Sequence, residues 1–210
     1  MANQNFNLPN MITLSSAAVA SCGSLSVFFF AHRGGIYIGM IGVVLSLILD
    51  RIDGPIARKL GLSSPMGAQL DSLADLLAFG VSPAMLMAGT MRAFDLPISF
   101  IMASAIFYIC CALWRLARFH DDGLVESRLG PAFVGVPSPV AGTAVVVTIA
   151  AVEIFHLPTY SLLISFTALA YLMISPIKYP KYRIGSWPWA LLAPLVAGYS
   201  IWRLVQMSSY

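Results

Sequence analysis

Charge is scarce in this chain. Of its 210 residues only 10% are Asp, Glu, Lys or Arg, while 59% are hydrophobic. Soluble domains carry roughly 25% charged residues. The balance here excludes a disordered chain and an ordinary water-soluble domain, and the lack of a basic stripe excludes a nucleic-acid binder. Cysteine and histidine are scarce too, at 3 each. Cys22, Cys110 and Cys111 lie in apolar stretches and two are adjacent, which suits neither a disulfide framework nor a zinc site, so they read as small packing residues. His32, His120 and His156 fall at the ends of apolar runs and read as interfacial packing. Internal repeats, low-complexity tracts and loops long enough for a soluble domain are also missing.

What remains is hydrophobic sequence in helix-length stretches. A helix needs about 20 mostly apolar residues to cross the hydrocarbon core. Seven such stretches are expected, at residues 11–31, 36–57, 69–91, 98–118, 136–155, 160–175 and 187–202, the last two being short. The fold expected is an all-α polytopic membrane bundle, a single integral membrane domain over residues 1–210. The first stretch is expected to be retained, because no basic residue precedes it and Asn10 interrupts it. With the N-terminus placed inside, Arg51, Arg58, Lys59, Arg115, Arg118, Arg128, Lys178, Lys181 and Arg183 fall on the cytoplasmic side, and Arg33, Arg92 and Arg203 on the other. This excess sets the orientation by the positive-inside rule, so the net charge of +3 concerns topology and not an acidic partner. The same partition puts seven of the nine acids inside, where any chemistry is expected.

Four of those acids, Asp50, Asp53, Asp71 and Asp75, fall within 26 residues at the end of one apolar run and the start of the next. Each charge near the bilayer centre costs about 2.5–3.5 kcal/mol on insertion scales, so something positive must sit among them. At helical spacing Asp50, Asp53, Gly54 and Ala57 share one stripe with Arg58 at its edge, and Gly67, Asp71 and Asp75 form a second. Two antiparallel helices would bring the four carboxylates together. Hard oxygen donors without His or Cys point to Mg²⁺, Mn²⁺ or Ca²⁺, and four carboxylates have room for two ions, a device for displacement at phosphorus. Gly54 and Ala57 would let a diphosphate approach the backbone, Arg58 offers a planar fork, and Ser64-Pro65 reads as a helix cap with free N–H groups facing an anion. Acids spaced through the bilayer depth would instead mark a cation or proton transporter. Here they cluster at one face.

The run Asp50-Arg51-Ile52-Asp53-Gly54-Pro55-Ile56-Ala57-Arg58, followed by Gly67, Asp71 and Asp75, resembles the signature of the CDP-alcohol phosphatidyltransferases. The context Leu70–Asp75, Phe79–Ala84, Arg115–Phe119 and Gly135–Pro139 is similar to the phosphatidylserine synthase branch, and the resemblance covers roughly Asn7–Lys181. It implies a cytoplasm-facing site in a six-helix bundle at residues 7–176; a basic loop at 177–186 follows, and the further C-terminal span at 187–206 exceeds that core, a departure from the family with no assigned role. It also implies a homodimer and a divalent metal. The implied activity is transfer of the phosphatidyl group from CDP-diacylglycerol in the bilayer to L-serine. By position, Asp50, Asp53, Asp71 and Asp75 would be metal ligands, with Asp75 also the base. Gly54, Arg58 and Ser64 would contact the diphosphate, and Ala57 and Gly67 would leave room for cytidine. Asn10 and Thr13, in Pro9–Thr13, resemble the family's entry motif near the nucleotide; a turn and helix cap is the alternative. Pro55 removes a backbone donor in mid-helix, so a kink facing the cradle is expected.

The acceptor is read from thinner signals. A zwitterionic amino acid needs a cation for its carboxylate. Arg118 is the first choice, Arg115 reads as a topology anchor or lipid-phosphate contact, and Ser138 either lines the pocket or caps a helix. Glycerol phosphate, an inositol phosphate or choline would use the same cradle, but phosphorylated acceptors want more basic residues than these two. Lys178, Lys181 and Arg183, interleaved with Tyr179 and Tyr182, read as an interfacial belt.

Overall fold

The computed structural model describes residues 7–30, 34–127, 130–180 and 187–208. Its helices are α1 (Leu8–Phe29), α2 (Gly34–Leu60), α3 (Pro65–Asp75), α4 (Ser82–Ala93), α5 (Ile98–Asp122), α6 (Ser138–Ile154), α7 (Tyr160–Ile174) and α8 (Trp187–Ser208). A π-helical turn, Leu76–Val81, joins α3 to α4, so that Pro65–Ala93 is one rod. The seven stretches thus become seven rods, and α1, α2, the α3–α4 rod and α5 are long and apolar enough to cross a membrane. The chain is an integral membrane protein. The short helices are α6, with 17 residues, and α7, with 15, about 26 and 23 Å long at the α-helical rise. The seventh was expected to be short but runs on for 22 residues.

Small residues let α1 and α2 approach each other closely. A Cβ on Gly23 of α1 would stand 3.0 Å from the Gly42 Cα of α2. Only glycine permits two backbones so near each other, which is how helices gain packing where no hydrophobic effect drives them together. Around this pair lies a core of buried side chains including Tyr37, Met40, Phe79, Leu86, Tyr108 and Phe166. Tyr108 of α5 stacks on Phe166 of α7 at 4.4 Å and donates its hydroxyl to Phe79 O in the π turn at 3.2 Å. The wider winding of a π turn frees carbonyls from the α ladder, and here the side chain of a neighbouring helix takes one. The outward faces are apolar; Trp114 is 67% and Ile164 69% exposed. Such surface is unfavourable in water and suited to lipid.

Helix α2 continues through Pro55 to Leu60: the lost N–H removes one bond from a helix held by packing on several others. The fold is the all-α membrane bundle expected, with one small addition: β1 (Val125–Ser127), β2 (Gly130–Val134) and β3 (Lys178–Pro180) form a three-stranded antiparallel sheet in the order β1-β2-β3. Ala132 pairs with Val125 on one side and Pro180 on the other, and Lys178 Nζ donates to Glu126 O at 2.8 Å. The sheet joins the loops after α5 and α7. His32, Arg33, Arg128, Lys181, Tyr182 and Arg183 lie outside the described residues.

Candidate functional site

The turn between α2 and α3 is built by its sequence. Gly61, with φ +65°, ends α2 in a left-handed conformation. Its N–H bonds Arg58 O at 3.3 Å and Leu62 N–H bonds Ala57 O at 3.0 Å, the paired bonds of a Schellman stop. Ser64 then caps α3, its Oγ accepting from Gly67 N at 3.0 Å, with Pro65 at the first helical position. Two helices in hairpin follow, and their acid stripes face each other.

Between them lies a cavity of about 520 Å³. Asp50, Asp53, Asp71 and Asp75 line it, as do Gly54, Ala57, Arg58, Ser64 and Gly67 from the same two helices, and Asn10 and Thr13 from α1. One ligand oxygen from each of Asp50, Asp53 and Asp71 lies within 4.8 Å of the other two. Asp53 is buried, at 4% exposure, and held at both oxygens. Thr13 Oγ1 donates to Oδ2 at 2.7 Å and Gly54 N–H to Oδ1 at 2.6 Å. Asp75 adjoins Asp50 beside this group, and its Oδ1 is buried without a partner.

A divalent cation fits these donors. Three convergent carboxylates, a carboxyl–carboxyl contact and an orphaned buried oxygen are together unfavourable without positive charge, and all are hard oxygens of the type such ions take. The glycines mark where bulk is excluded: a Cβ on Gly67 would stand 3.1 Å from Asn10 Oδ1 and 3.3 Å from Ser64 Oγ. Around Gly54 only the Arg58 guanidinium is near, at 3.5 Å. Arg51 also lines the cavity, although its charge reads in the sequence as topology alone. The available signal is its position two turns before Arg58, which puts both on one stripe of α2.

Arg115, Arg118 and Ser138 stand elsewhere. The two arginines line a separate crevice of about 10 Å³ with Phe119, Asp122, Phe133 and Val134. Arg115 is buried, at 5% exposure, and donates to Ser138 Oγ at 2.5 Å. Arg118 donates to Val134 O at 2.7 Å, Ile174 O at 3.1 Å and Met173 O at 3.2 Å.

Fold and site together define a polytopic membrane protein with a cluster of aspartates able to hold a divalent cation at one end of its bundle. Residues 6–177 match the family model for CDP-alcohol phosphatidyltransferase. The chain belongs to that family. Among similar proteins, the CDP-diacylglycerol–serine O-phosphatidyltransferase of Bacillus subtilis is 35% identical over 176 residues, 84% of this chain and 91% of the relative. The protein of the same name in Helicobacter pylori is 34% identical over 189 residues, 88% of this chain and 76% of its own length. That in Methanocaldococcus jannaschii is 38% identical over 140 residues, 67% and 62%.

Proposed function

We propose that the protein transfers the phosphatidyl group of CDP-diacylglycerol to the hydroxyl of L-serine, releasing phosphatidylserine and CMP. The observation that carries the reaction class is the convergence of Asp50, Asp53 and Asp71 oxygens within 4.8 Å in one cavity with Arg58. The relatives' shared name supports serine as the acceptor.

The acyl chains remain in the bilayer while the head group enters the cavity. Arg58 and the positive end of α3 hold the diphosphate by charge, and Gly54, Ala57 and Gly67 admit the nucleotide close to the backbone. The serine oxygen attacks the phosphorus that bears diacylglycerol, the bond from that phosphorus to the CMP phosphate breaks, and the hydroxyl proton passes to Asp75. Asp50, Asp53, Asp71 and Asp75 would hold Mg²⁺ or Mn²⁺, as one ion or two, with Ca²⁺ competing for the same oxygens. A cation held there would supply positive charge to the diphosphate and to the leaving phosphate.

In this reading the protein is one domain and works as a homodimer in the cytoplasmic membrane, N-terminus and active site on the cytoplasmic side. The excess of basic residues on that side supports the orientation. The test is to incubate purified protein and CDP-diacylglycerol with serine, glycerol phosphate, inositol phosphate or choline, with Mg²⁺ or Mn²⁺. CMP and phosphatidylserine are expected with serine. CMP with another alcohol and none with serine would overturn the acceptor assignment.

A further inference from the structure

Arg115 is a buried cation without an anion. Its guanidinium makes no ion pair among the described residues, and its hydrogen-bond partner is the neutral hydroxyl of Ser138. Burying a charge is costly unless it is paired. Two carboxylates stand near it without pairing: Asp122, which lines the same crevice, and Asp75, which adjoins Asp50 and the cation site. The surroundings of Arg115 also favour an incoming anion: Ser138 opens α6, so the positive end of that helix stands at the same place.

Arg115 is held from behind. Its guanidinium carbon lies 5.6 Å from the Phe119 ring centroid and 5.9 Å from that of Phe133, so two aromatic faces fix the plane of the fork. Phe133 belongs to β2, and β2 is tied down by Arg118 through Val134 O, Met173 O and Ile174 O. Gly135 N–H to Ile177 O at 2.8 Å and Val136 N–H to Leu172 O at 3.1 Å complete the seam. Gly135, with φ +79°, admits no substitute, because a Cβ there would collide with Met173 O and crowd Arg118. With three carbonyls on its fork, Arg118 is a clamp.

We infer that Arg115 is the group that binds the carboxylate of the amino-acid acceptor, and that Arg118 is a positioning residue that holds Phe133 and the start of α6 around it. This deepens the proposed function and rests on it. The acceptor enters from the cavity past Asp75, placing its hydroxyl at that carboxylate and its own carboxylate at Arg115. The sequence favours Arg118 for this role, and the hydrogen bonds transfer it one turn back along α5.

The test compares serine with serinol, which replaces the carboxylate by a hydroxymethyl group, as acceptors for the purified protein with CDP-diacylglycerol and Mg²⁺. Arg115→Gln is expected to lower kcat/KM for serine about 100-fold, the equivalent of ~2.7 kcal/mol, and to leave that for serinol within about twofold. Arg118→Lys, whose single nitrogen cannot span carbonyls held by both nitrogens of the fork, and Phe133→Leu are each expected to raise the serine KM about tenfold with kcat and the CDP-diacylglycerol KM little changed. Binding of CDP with Mg²⁺ checks that each variant is folded, and if Arg115→Gln is not, the other two decide. An unchanged serine-to-serinol ratio in Arg115→Gln, or a fall in kcat at constant serine KM in Arg118→Lys and Phe133→Leu, overturns the inference. Failure of the wild type to use serine at all would overturn the acceptor assignment itself, a different result.

Discussion

Thr13 in the second turn of α1 donates its hydroxyl to the Oδ2 of Asp53, forty residues further along the chain, at 2.7 Å. Both side chains are 6% exposed or less. The bond fixes one lone pair of a carboxylate whose other oxygen accepts the Gly54 N–H, so Asp53 presents a set geometry to the cation site. Partners of this kind orient a metal's ligands, and their loss typically costs about 10–100-fold in affinity or activity. Thr13→Val keeps the shape and removes the donor. It is expected to weaken Mg²⁺-dependent CDP binding by about tenfold at the low end of that range, while Thr13→Ser stays close to wild type. Calorimetric titration of the two variants with CDP and Mg²⁺ is the measurement, and equal affinities would remove Thr13 from the site.

Asp50 and Asp75 adjoin each other at the edge of the three convergent acids. A cation bound to the folded hairpin stabilises it by mass action, ~2.7 kcal/mol at a concentration 100 times its dissociation constant. Mg²⁺ or Mn²⁺ should therefore raise the thermal midpoint of the detergent-purified protein, and a chelator should abolish activity reversibly. In Asp71→Asn the thermal response to Mg²⁺ should shrink, because one of three convergent ligands is lost. A midpoint indifferent to both ions in the wild type would contradict the cation site.

Gly54 and Gly67 face the same cavity but are not equivalent. An added Cβ at Gly67 meets Asn10 Oδ1 and Ser64 Oγ, both tighter than ordinary contact, so the α3 cap and the start of α1 must give way. At Gly54 the neighbour is the flexible end of Arg58. Gly67→Ala should thus lower both thermal stability and CDP affinity, whereas Gly54→Ala should lower CDP affinity with little loss of stability. Melting curves read beside CDP titrations separate the two, and a stability loss larger in Gly54→Ala would reverse the assignment.

The acid stripes were legible because helical period alone places Asp50 with Asp53 and Asp71 with Asp75, and Ser64-Pro65 marks the start of the second helix. The Thr13 contact was not, since a bond across forty residues leaves no mark in spacing. The small sheet was hidden because its strands are three to five residues long and contain Pro131 and Pro180, and because β2 pairs with β3 across some 45 residues. Arg118 and Arg115 sit three residues apart at one helix end and look alike in sequence. Only the carbonyls of Val134, Met173 and Ile174, brought in by other elements, tell the clamp from the buried cation. Glu153 and Arg203 could be counted as charges on one side, and their meeting was invisible.

That meeting accounts for α8, which lies beyond the residues matched by the family model. Arg203 Nη2 pairs with Glu153 Oε1 at 2.9 Å, Arg203 Nε donates to the Tyr37 hydroxyl at 3.0 Å, and Tyr37 in turn donates to Glu153. The triad joins the first turn of α2, the last turn of α6 and the end of α8, at the opposite end of α2 from Asp50 and Asp53. Tyr37 is fully buried, while the Arg203 and Glu153 side chains are 30% and 12% exposed. Breaking a fully buried pair costs about 3–5 kcal/mol and an exposed one at most ~1, so Arg203→Leu should cost on the order of 1–3 kcal/mol. Glu153→Gln should cost less, because an amide still accepts from Tyr37. If the triad acts as a unit, the double variant is less destabilised than the sum of the singles, by about 0.5–3 kcal/mol. The serine and CDP-diacylglycerol KM values should stay at wild type, since nothing in the triad touches the cavity. Strict additivity in thermal or denaturant unfolding would mean that α8 is held by its apolar contacts with α2 and α6 alone, and a shifted KM would mean that the far end of α2 is coupled to the acids through its axis.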